Sequence, residues 1–266
     1  MPLNFSGNPS LVAYVTCGDP DLATSREIIL SAIDAGAEII ELGVPFSDPL
    51  ADGPVIQRAS QRALEQKHST SLRDVVELAG ELRKLRPKAG LIIFSYLNPI
   101  LRYGLERFAE DCLKMGIDGA LVTDLTVEES DEYRRIMHSR QLATVFLAAP
   151  TSPDERLKKI AEASSGFIYA VSRTGVTGAR KELAEDAASL VQRIRRFTKL
   201  PIALGFGIST PEQFVEIGKF ADAAVVGSAI VATIEQASAA EAPRRVGEFV
   251  KQLKAACSPS TEAAVR

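Results

Sequence analysis

Apolar and polar positions alternate along the chain in two different patterns. Short runs with almost no polar interruption recur eight times, which is typical of strands covered on both faces of a parallel sheet. These runs cover residues 11–17, 38–44, 90–96, 119–124, 142–149, 166–172, 201–207 and 223–228. Between them, apolar residues stand three and four positions apart, and this spacing predicts helices with one buried face. A clear example is the set Leu72, Val75, Val76, Ala79 and Leu82.

Eight strand-then-helix units predict an α/β fold, a single-domain (β/α)8 TIM barrel. An open doubly wound sheet alternates in the same way and is the alternative, but a count of eight closes a barrel naturally. We expect a short N-terminal extension at 1–10, the barrel as catalytic domain at 11–256 and a flexible tail at 257–266. Residues 1–9 have little to bury, so we expect them to fray.

The charge balance and the cysteine count narrow the class of protein. The chain has 31 Lys and Arg against 34 Asp and Glu, a net charge of −3, which gives no reason to expect nucleic acid or an anionic membrane. Two His and three Cys without a C-x-x-C or H-x-x-x-H pattern predict no metal site. With no apolar run near the ~20 residues of a membrane span and no signal peptide, the chain is expected to be cytoplasmic.

A carboxylate inside the second apolar run is the strongest sign of chemistry. Glu41 follows Ile39 and Ile40, and a buried carboxylate needs a reason. It lies near the carboxyl end of the predicted strand, where barrel enzymes place catalytic groups. None of the eight predicted strands contains Lys or Arg, which disfavours the alternative of a structural ion pair. Burial should raise the pKa of Glu41 and suit it to proton transfer near neutral pH.

Two further aspartates lie close to predicted strand ends. Asp52 is in the loop that begins a few residues after Glu41, so both carboxylates could reach one ligand. Asp124 ends the fourth predicted strand, where we expect it either to support a site residue from behind or to anchor a loop. No Lys occupies a strand interior, which disfavours a Schiff-base aldolase, and the absence of His clusters disfavours a metal aldolase. The type of reaction that is left after these exclusions is acid–base catalysis by carboxylates on a phosphorylated substrate.

Glycine-rich segments at 172–178, 205–209 and 226–230 end the last three predicted strands. Barrel enzymes often bind phosphate there with backbone N–H groups and a helix N-terminus. A dinucleotide fingerprint fails, because GFGIST lacks its third glycine. Substrate-binding residues are expected in these segments and among the tyrosines near strand ends. The candidates are Tyr14, Tyr96, Tyr169, Thr177, Gly178, Phe206, Gly207, Gly227 and Ser228.

The segment ELGVPFSDPLADGPVIQRA at 41–59 resembles the signature of tryptophan synthase α subunits. The motifs YVTCGDPD, YLNPI, SRTGVTG and GFGIS are similar to those of the same family and occur in its order. The resemblance runs from about residue 11 to residue 253. It implies a lyase of tryptophan biosynthesis, which cleaves indole-3-glycerol phosphate by a retro-aldol reaction to indole and glyceraldehyde 3-phosphate.

The resemblance also implies a role for each matching residue. Glu41 matches the acid–base that protonates indole C3, and Asp52 matches the carboxylate that binds the indole N–H. Tyr169 matches the pocket tyrosine near Glu41, and Tyr14 stands at an aromatic pocket position. The matches to phosphate-binding positions are Gly178, Gly207, Gly227 and Ser228. No cofactor is implied for this chain, because pyridoxal phosphate belongs to the β subunit, its partner in an αββα heterotetramer.

Two departures from the family pattern and three alternatives stand beside this interpretation. Only about ten residues precede the first strand, so the helix that commonly plugs the barrel is short or different here. Thr126 replaces the usual proline after Asp124-Leu125. A standalone lyase that releases free indole and a catalytically weak barrel acting as an allosteric partner are the alternatives within the family. A phosphosugar isomerase is disfavoured by the absence of His or Lys at strand ends.

Overall fold

The computed structural model describes residues 3–171, 180–205 and 207–257. Its strands in those ranges are β1 Ser10–Thr16, β2 Ile39–Gly43, β3 Gly90–Ser95, β4 Gly119–Val122, β5 Ala143–Val145, β6 Leu147–Ala148, β7 Ile168–Val171, β8 Ile202–Gly205 and β9 Ala223–Val226. Its α-helices there are α1 Leu22–Asp34, α2 Pro54–Leu64, α3 Leu72–Leu85, α4 Leu97–Tyr103, α5 Leu105–Met115, α6 Asp131–Ser139, α7 Asp154–Ala163, α8 Arg180–Arg195, α9 Pro211–Ile217, α10 Ser228–Glu235 and α11 Ala242–Ala255.

The strands form one parallel sheet that returns to its starting point. Its order is β5-β4-β3-β2-β1-β9-β8-β7-β6. Only Phe146 separates β5 from β6, so these two edge segments are halves of the fifth predicted strand. The predicted (β/α)8 barrel is confirmed, and the alternative of an open doubly wound sheet is wrong.

Alternate residues of each strand contribute to two different hydrophobic clusters. On β2, Ile40 and Leu42 pack in the cluster between the sheet and the surrounding helices. Ile39 instead packs in the lumen with other side chains of the barrel interior, among them Ile92 of β3 and Phe167, which directly precedes β7. This is the inside–outside alternation that a closed barrel requires. It turns the side chain of Glu41 into the lumen, because Glu41 lies between two outward residues.

The segment before β1 closes the N-terminal end of the barrel. Leu3 and Phe5 pack against the luminal cluster, and the rings of Phe5 and Phe167 meet edge to face with centroids 5.7 Å apart. For Leu3 and Phe5, the expectation that this segment has little to bury was therefore wrong. Residues 3–9 contain no helix, so irregular chain fills this end of the barrel.

A buried ion pair holds β3 and β4 at the same end of the barrel. Arg83 of α3 places Nη2 2.7 Å from Oδ2 of Asp118, which also accepts a hydrogen bond from the backbone N–H of Leu91. The same guanidinium donates to the carbonyl oxygens of Gly116 and Ala89. Asp118 is only 8% exposed, so this pair is shielded from solvent. It lies far along the strands from their carboxyl ends, where the candidate site is found.

Gly119 at the start of β4 has no room for a side chain. A Cβ there would lie 2.3 Å from the carbonyl oxygen of Ala143 in β5. We expect Gly119→Ala to lower the free energy of unfolding by about 1–3 kcal/mol, because the neighbouring strand must move. Urea denaturation measures it. Gly247→Ala in α11 is the matched control, since its Cβ would meet Ser31 at 3.5 Å and alanine favours the helix. Equal losses in both variants would contradict the steric argument.

Candidate active site

Glu41 is the only ionisable side chain of β2, and the strand register places it deep in the barrel. Its neighbours across the sheet are Tyr14 of β1 and Ile92 of β3. The side chain is completely buried, and neither carboxylate oxygen has a hydrogen-bond partner among the described residues. Burial without a partner disfavours the charged form and raises the pKa of Glu41 to about 8. The carboxyl group is therefore mostly protonated at neutral pH.

The Glu41 side chain opens into a cavity of about 190 Å³ at the carboxyl ends of the strands. Asp52 lines the same cavity, so the two predicted carboxylates are brought together. Among the described residues that line it, these two are the only ionisable groups apart from tyrosines. The walls are otherwise aromatic, aliphatic and glycine residues, with the hydroxyl residues Thr123 and Ser228. Such a pocket can hold a flat apolar ring with carboxyl groups aimed at it.

Asp52 is held by a tyrosine from the next strand along the sheet. The hydroxyl of Tyr96, directly after β3, donates to Oδ2 of Asp52 at 2.9 Å. The same hydroxyl oxygen accepts a hydrogen bond from the backbone N–H of Ala51, also at 2.9 Å. Phe46 stacks on the Tyr96 ring, with centroids 4.9 Å apart. Burial raises the pKa of Asp52, and the Tyr96 hydrogen bond opposes that rise. Tyr96 thus fixes the loop that carries Asp52.

Tyr14 forms a wall of the cavity beside Glu41. Its ring meets Phe94 edge to face, with centroids 5.0 Å apart, and its hydroxyl oxygen lies 3.3 Å from Oγ1 of Thr16. The hydroxyl reaches over Gly43, where a Cβ would lie only 2.4 Å from it. A glycine at the end of β2 is therefore the condition for this tyrosine to occupy its place.

Tyr169 repeats the arrangement on the opposite wall. It lies on β7, lines the cavity and packs over Gly205 of β8, where a Cβ would lie 2.7 Å from the tyrosine hydroxyl. Burial is the main reason that its pKa is raised, and the nearby carboxyl of Glu41 raises it further. The phenol stays protonated at any pH at which Glu41 titrates, so it can donate a hydrogen bond inside the cavity.

The last strand and α10 supply backbone groups at one end of the cavity. Gly227 precedes the helix, Ser228 begins it, and no side chain caps its first N–H groups. Gly207 reaches the same cavity from the loop after β8, with a φ of +62° that favours glycine. Free N–H groups at a helix start attract an anion, so this end of the cavity is suited to a negatively charged group.

The family model for the tryptophan synthase alpha chain matches residues 3–262. This chain belongs to the tryptophan synthase alpha chain family. The tryptophan synthase alpha chain of Solibacter usitatus is 49% identical over 246 residues, which are 92% of this chain and 91% of the relative.

Solved structures of the family agree with the fold. The structure of tryptophan synthase subunit alpha from Legionella pneumophila is 33% identical, with a TM-score of 0.85 over 94% of this chain and 92% of that one. The aminoacrylate-bound structure of tryptophan synthase from M. tuberculosis is 31% identical, with a TM-score of 0.84 over 94% of both chains. The chain is accordingly a lyase with the alpha-subunit role in tryptophan biosynthesis, and neither a standalone lyase nor a weak allosteric barrel is favoured.

The structure places most of the predicted alpha-chain site residues in one cavity. Residues that line it are Glu41, Asp52, Tyr14, Tyr169, Gly207, Gly227 and Ser228. Tyr96 does not line the cavity and acts on Asp52 instead. Thr177, Gly178 and Phe206 lie outside the described residues. Asp124 accepts a hydrogen bond from the backbone N–H of Leu97 at 2.7 Å, which confirms its prediction as a loop anchor.

Several lining residues carry no signal in the sequence. Phe94, Thr123, Leu147 and Val225 also face the cavity, and Ile56 of α2 covers it. Each is a plain apolar or hydroxyl residue, and only the alternation within its strand could have pointed to the lumen. Within the described ranges, no three His, Cys, Asp or Glu side chains are grouped to hold a metal ion. No described helix is long and apolar enough to cross a membrane.

Proposed function

We propose that this chain cleaves indole-3-glycerol phosphate to indole and glyceraldehyde 3-phosphate, with Glu41 as its acid–base. The observation that carries the proposal is the completely buried Glu41 carboxyl, which faces a cavity that it shares with Asp52 and has no partner among the described residues. An unpaired buried carboxyl is costly for the fold, and proton transfer to a bound substrate accounts for that cost.

In the proposed mechanism, protonated Glu41 first gives its proton to C3 of the indole ring. The ring becomes an indolenine cation, and Asp52 accepts the hydrogen bond of its N–H and stabilises the positive charge. The Glu41 carboxylate then removes the proton from the hydroxyl on the carbon bonded to the ring. The carbon–carbon bond breaks, its electron pair returns to the ring as neutral indole, and the hydroxyl carbon becomes the aldehyde. The ring itself is the electron sink.

The other end of the substrate is proposed to bind at the start of α10. The phosphate would accept hydrogen bonds from backbone N–H groups near Gly207, Gly227 and Ser228. Tyr14 and Tyr169 would enclose the indole ring between the two ends of the cavity. Thr177, Gly178 and Phe206 remain proposed contacts. Binding of the remote phosphate holds the reacting carbon against Glu41, which lowers the entropic part of the barrier.

The partner belongs to the proposal as well. We infer that the chain assembles with a tryptophan synthase β subunit as an αββα heterotetramer in the cytoplasm, with pyridoxal phosphate bound only by the β subunit. Support comes from the family and from relatives solved as tryptophan synthase. The three cysteines are all unpaired, which fits a reducing compartment.

The direct test is release of indole from indole-3-glycerol phosphate, followed by absorbance with and without the β subunit. The chain contains no Trp, so it contributes no indole absorbance of its own. We expect slow release by the chain alone and faster turnover with the β subunit. Full activity of the chain alone would instead support a standalone lyase. No release in either case would leave a binding partner as the function.

The raised pKa of Glu41 predicts the pH dependence of the reaction. Because the first step needs the protonated carboxyl, kcat/KM should fall as pH rises through about 8. Burial keeps the pKa values of Tyr14 and Tyr169 well above 10, so neither tyrosine produces this limb. The measurement is kcat/KM from pH 6 to pH 10 with stability checked at each point. A profile flat to pH 9.5 would contradict the assignment of Glu41 as the initial acid.

A further inference from the structure

Helix α2 begins two residues after Asp52, and only its first turn carries large apolar side chains that pack against the barrel. Val55 and Ile56 pack beside Tyr14, whereas the fully buried residues of the helix are Ala59, Ser60 and Ala63, all of them small. Small side chains bury little area, so the hydrophobic effect holds the later turns of the helix only weakly. The helix start has no side-chain cap at Gly53 either. Polar contacts of these later turns therefore add to the contacts of Tyr96 and of the first turn in fixing where α2, and with it Asp52, stands over the cavity.

One such contact is an ion pair between α2 and the loop after β1. Arg62 places Nε 2.8 Å from Oδ1 of Asp19 and Nη2 2.8 Å from Oδ2, which is a bidentate geometry. Asp19 is only 1% exposed and the Arg62 side chain is 31% exposed, so the carboxylate is shielded from solvent while the guanidinium is half-buried. Two parallel hydrogen bonds to a fixed carboxylate restrict the orientation of the guanidinium and of the helix that carries it.

The third guanidinium nitrogen of Arg62 extends the contact to α10. Its Nη1 lies 2.8 Å from Oε1 of Glu235, the last residue of that helix. Arg58, one turn earlier on α2, also binds Glu235 in a bidentate way, at 2.8 and 2.7 Å. The two arginines lower the pKa of Glu235 to about 2, so the carboxylate stays charged. The first residue of α10, Ser228, lines the same cavity as Asp52.

We propose that Arg62 is a positioning residue for Asp52, holding α2 against the Asp19 carboxylate and against the end of α10. Arg62 does not line the cavity and acts only through the helix that begins beside Asp52. The inference rests on the proposed lyase function and adds to it a residue outside the pocket. It implies that weakening the bidentate pair lowers kcat and leaves KM nearly unchanged, because Arg58 keeps its two hydrogen bonds to Glu235 and so maintains the link between α2 and α10, which carries the phosphate end of the site.

The test compares Arg62→Lys with Arg83→Lys, both measured as the complex with the β subunit. Arg83 forms the other buried pair with an aspartate, at 2.7 Å from Asp118, at the far end of the barrel. Lysine keeps the charge in both variants and loses the fork geometry. We expect Arg62→Lys to lower kcat about 10-fold per folded molecule with KM within about twofold, and Arg83→Lys to leave both within about twofold. Equal kcat losses in the two variants would show a general effect of weakened folding.

A double-mutant cycle with Asp52→Asn separates positioning from other roles. If Arg62 acts through Asp52, Arg62→Lys should cost less than about twofold in kcat once Asp52 is already Asn. A further loss of about 10-fold in that background would overturn the proposal, because the two effects would then be independent. An undiminished kcat for Arg62→Lys in the wild-type background would overturn it equally.

A second variant covers the case in which Arg62→Lys does not fold. Glu235→Gln leaves the Asp19 pair in place and weakens only the link to α10, and it should lower kcat about threefold, again only when Asp52 is present. An equal effect in the Asp52→Asn background would overturn the proposal. Failure of the proposed function is distinguishable, because the wild-type complex itself would then release no indole.

Discussion

Glu41→Gln is expected to lower kcat for indole release by about 10²–10⁴-fold while the chain still folds and binds substrate. Glutamine keeps the shape of the side chain and can neither give a proton to indole C3 nor take one from the substrate hydroxyl. The cavity walls are unchanged by the substitution, so the substrate dissociation constant should stay within a few-fold of wild type. Steady-state measurements at saturating substrate with the β subunit present give kcat, and calorimetry with a non-cleavable indole-alkyl phosphate gives the dissociation constant. Near-normal turnover would remove Glu41 from the mechanism.

The buried carboxyl of Glu41 also makes the free energy of unfolding depend on pH. Loss of that dependence in Glu41→Gln is a check on folding that is independent of activity. The pKa of Glu41 is about 8 when folded and near the ordinary value of 4.5 when unfolded. Between those values the chain loses a proton on unfolding, so wild-type stability should fall as pH rises, by at most ~1.4 kcal/mol per pH unit, and level off above pH 8. Glu41→Gln lacks this slope. Its free energy of unfolding relative to wild type should therefore increase across that window, which urea titrations at pH 5 and pH 8 measure.

Most of the barrel could be predicted because its signals are local. Each strand of the structure falls on a predicted apolar run, and only the break at Phe146 divides one run into two strands. The packing of Leu3 and Phe5 could not be predicted in the same way. Two apolar residues in an irregular segment make no periodic pattern, and their partners are strands that are distant in sequence. Closure of the barrel brings those partners together at one end.

The residues of the candidate site differ in the same way: some could be predicted from their sequence neighbours, and others depend on contacts that are distant in sequence. Glu41 could be singled out from its own neighbours, since a carboxylate inside an apolar run is unusual wherever the strand lies. The role of Tyr96 could not, because its hydrogen bond to Asp52 spans 44 residues and depends on how the loop folds back. Gly43 was missed for a related reason. Its lack of a side chain matters only because Tyr14 of the neighbouring strand lies across it.

Asp52→Asn should lower kcat about 10²-fold and leave KM within about threefold. The amide oxygen of asparagine can still accept the hydrogen bond of the Tyr96 hydroxyl, so the loop should keep its place. What disappears is the negative charge, which stabilises the indolenine cation in the transition state much more than the neutral ring of the bound substrate. A loss confined to kcat is the expected signature, measured as indole release under saturating substrate with the β subunit present.

The matched control for this variant lies four residues away in the same loop. Asp48 is exposed, accepts a hydrogen bond from Ser47 at 2.6 Å and does not line the cavity. Asp48→Asn removes the same charge from the same loop, and we expect kcat and KM within twofold of wild type. If both variants lost activity equally, the charge of the loop as a whole, and not a contact with the indole N–H, would explain the effect. Tyr96→Phe should fall between the two, because it leaves the Asp52 charge in place and removes the hydrogen bonds of the Tyr96 hydroxyl to Asp52 and to the Ala51 N–H, which hold the loop.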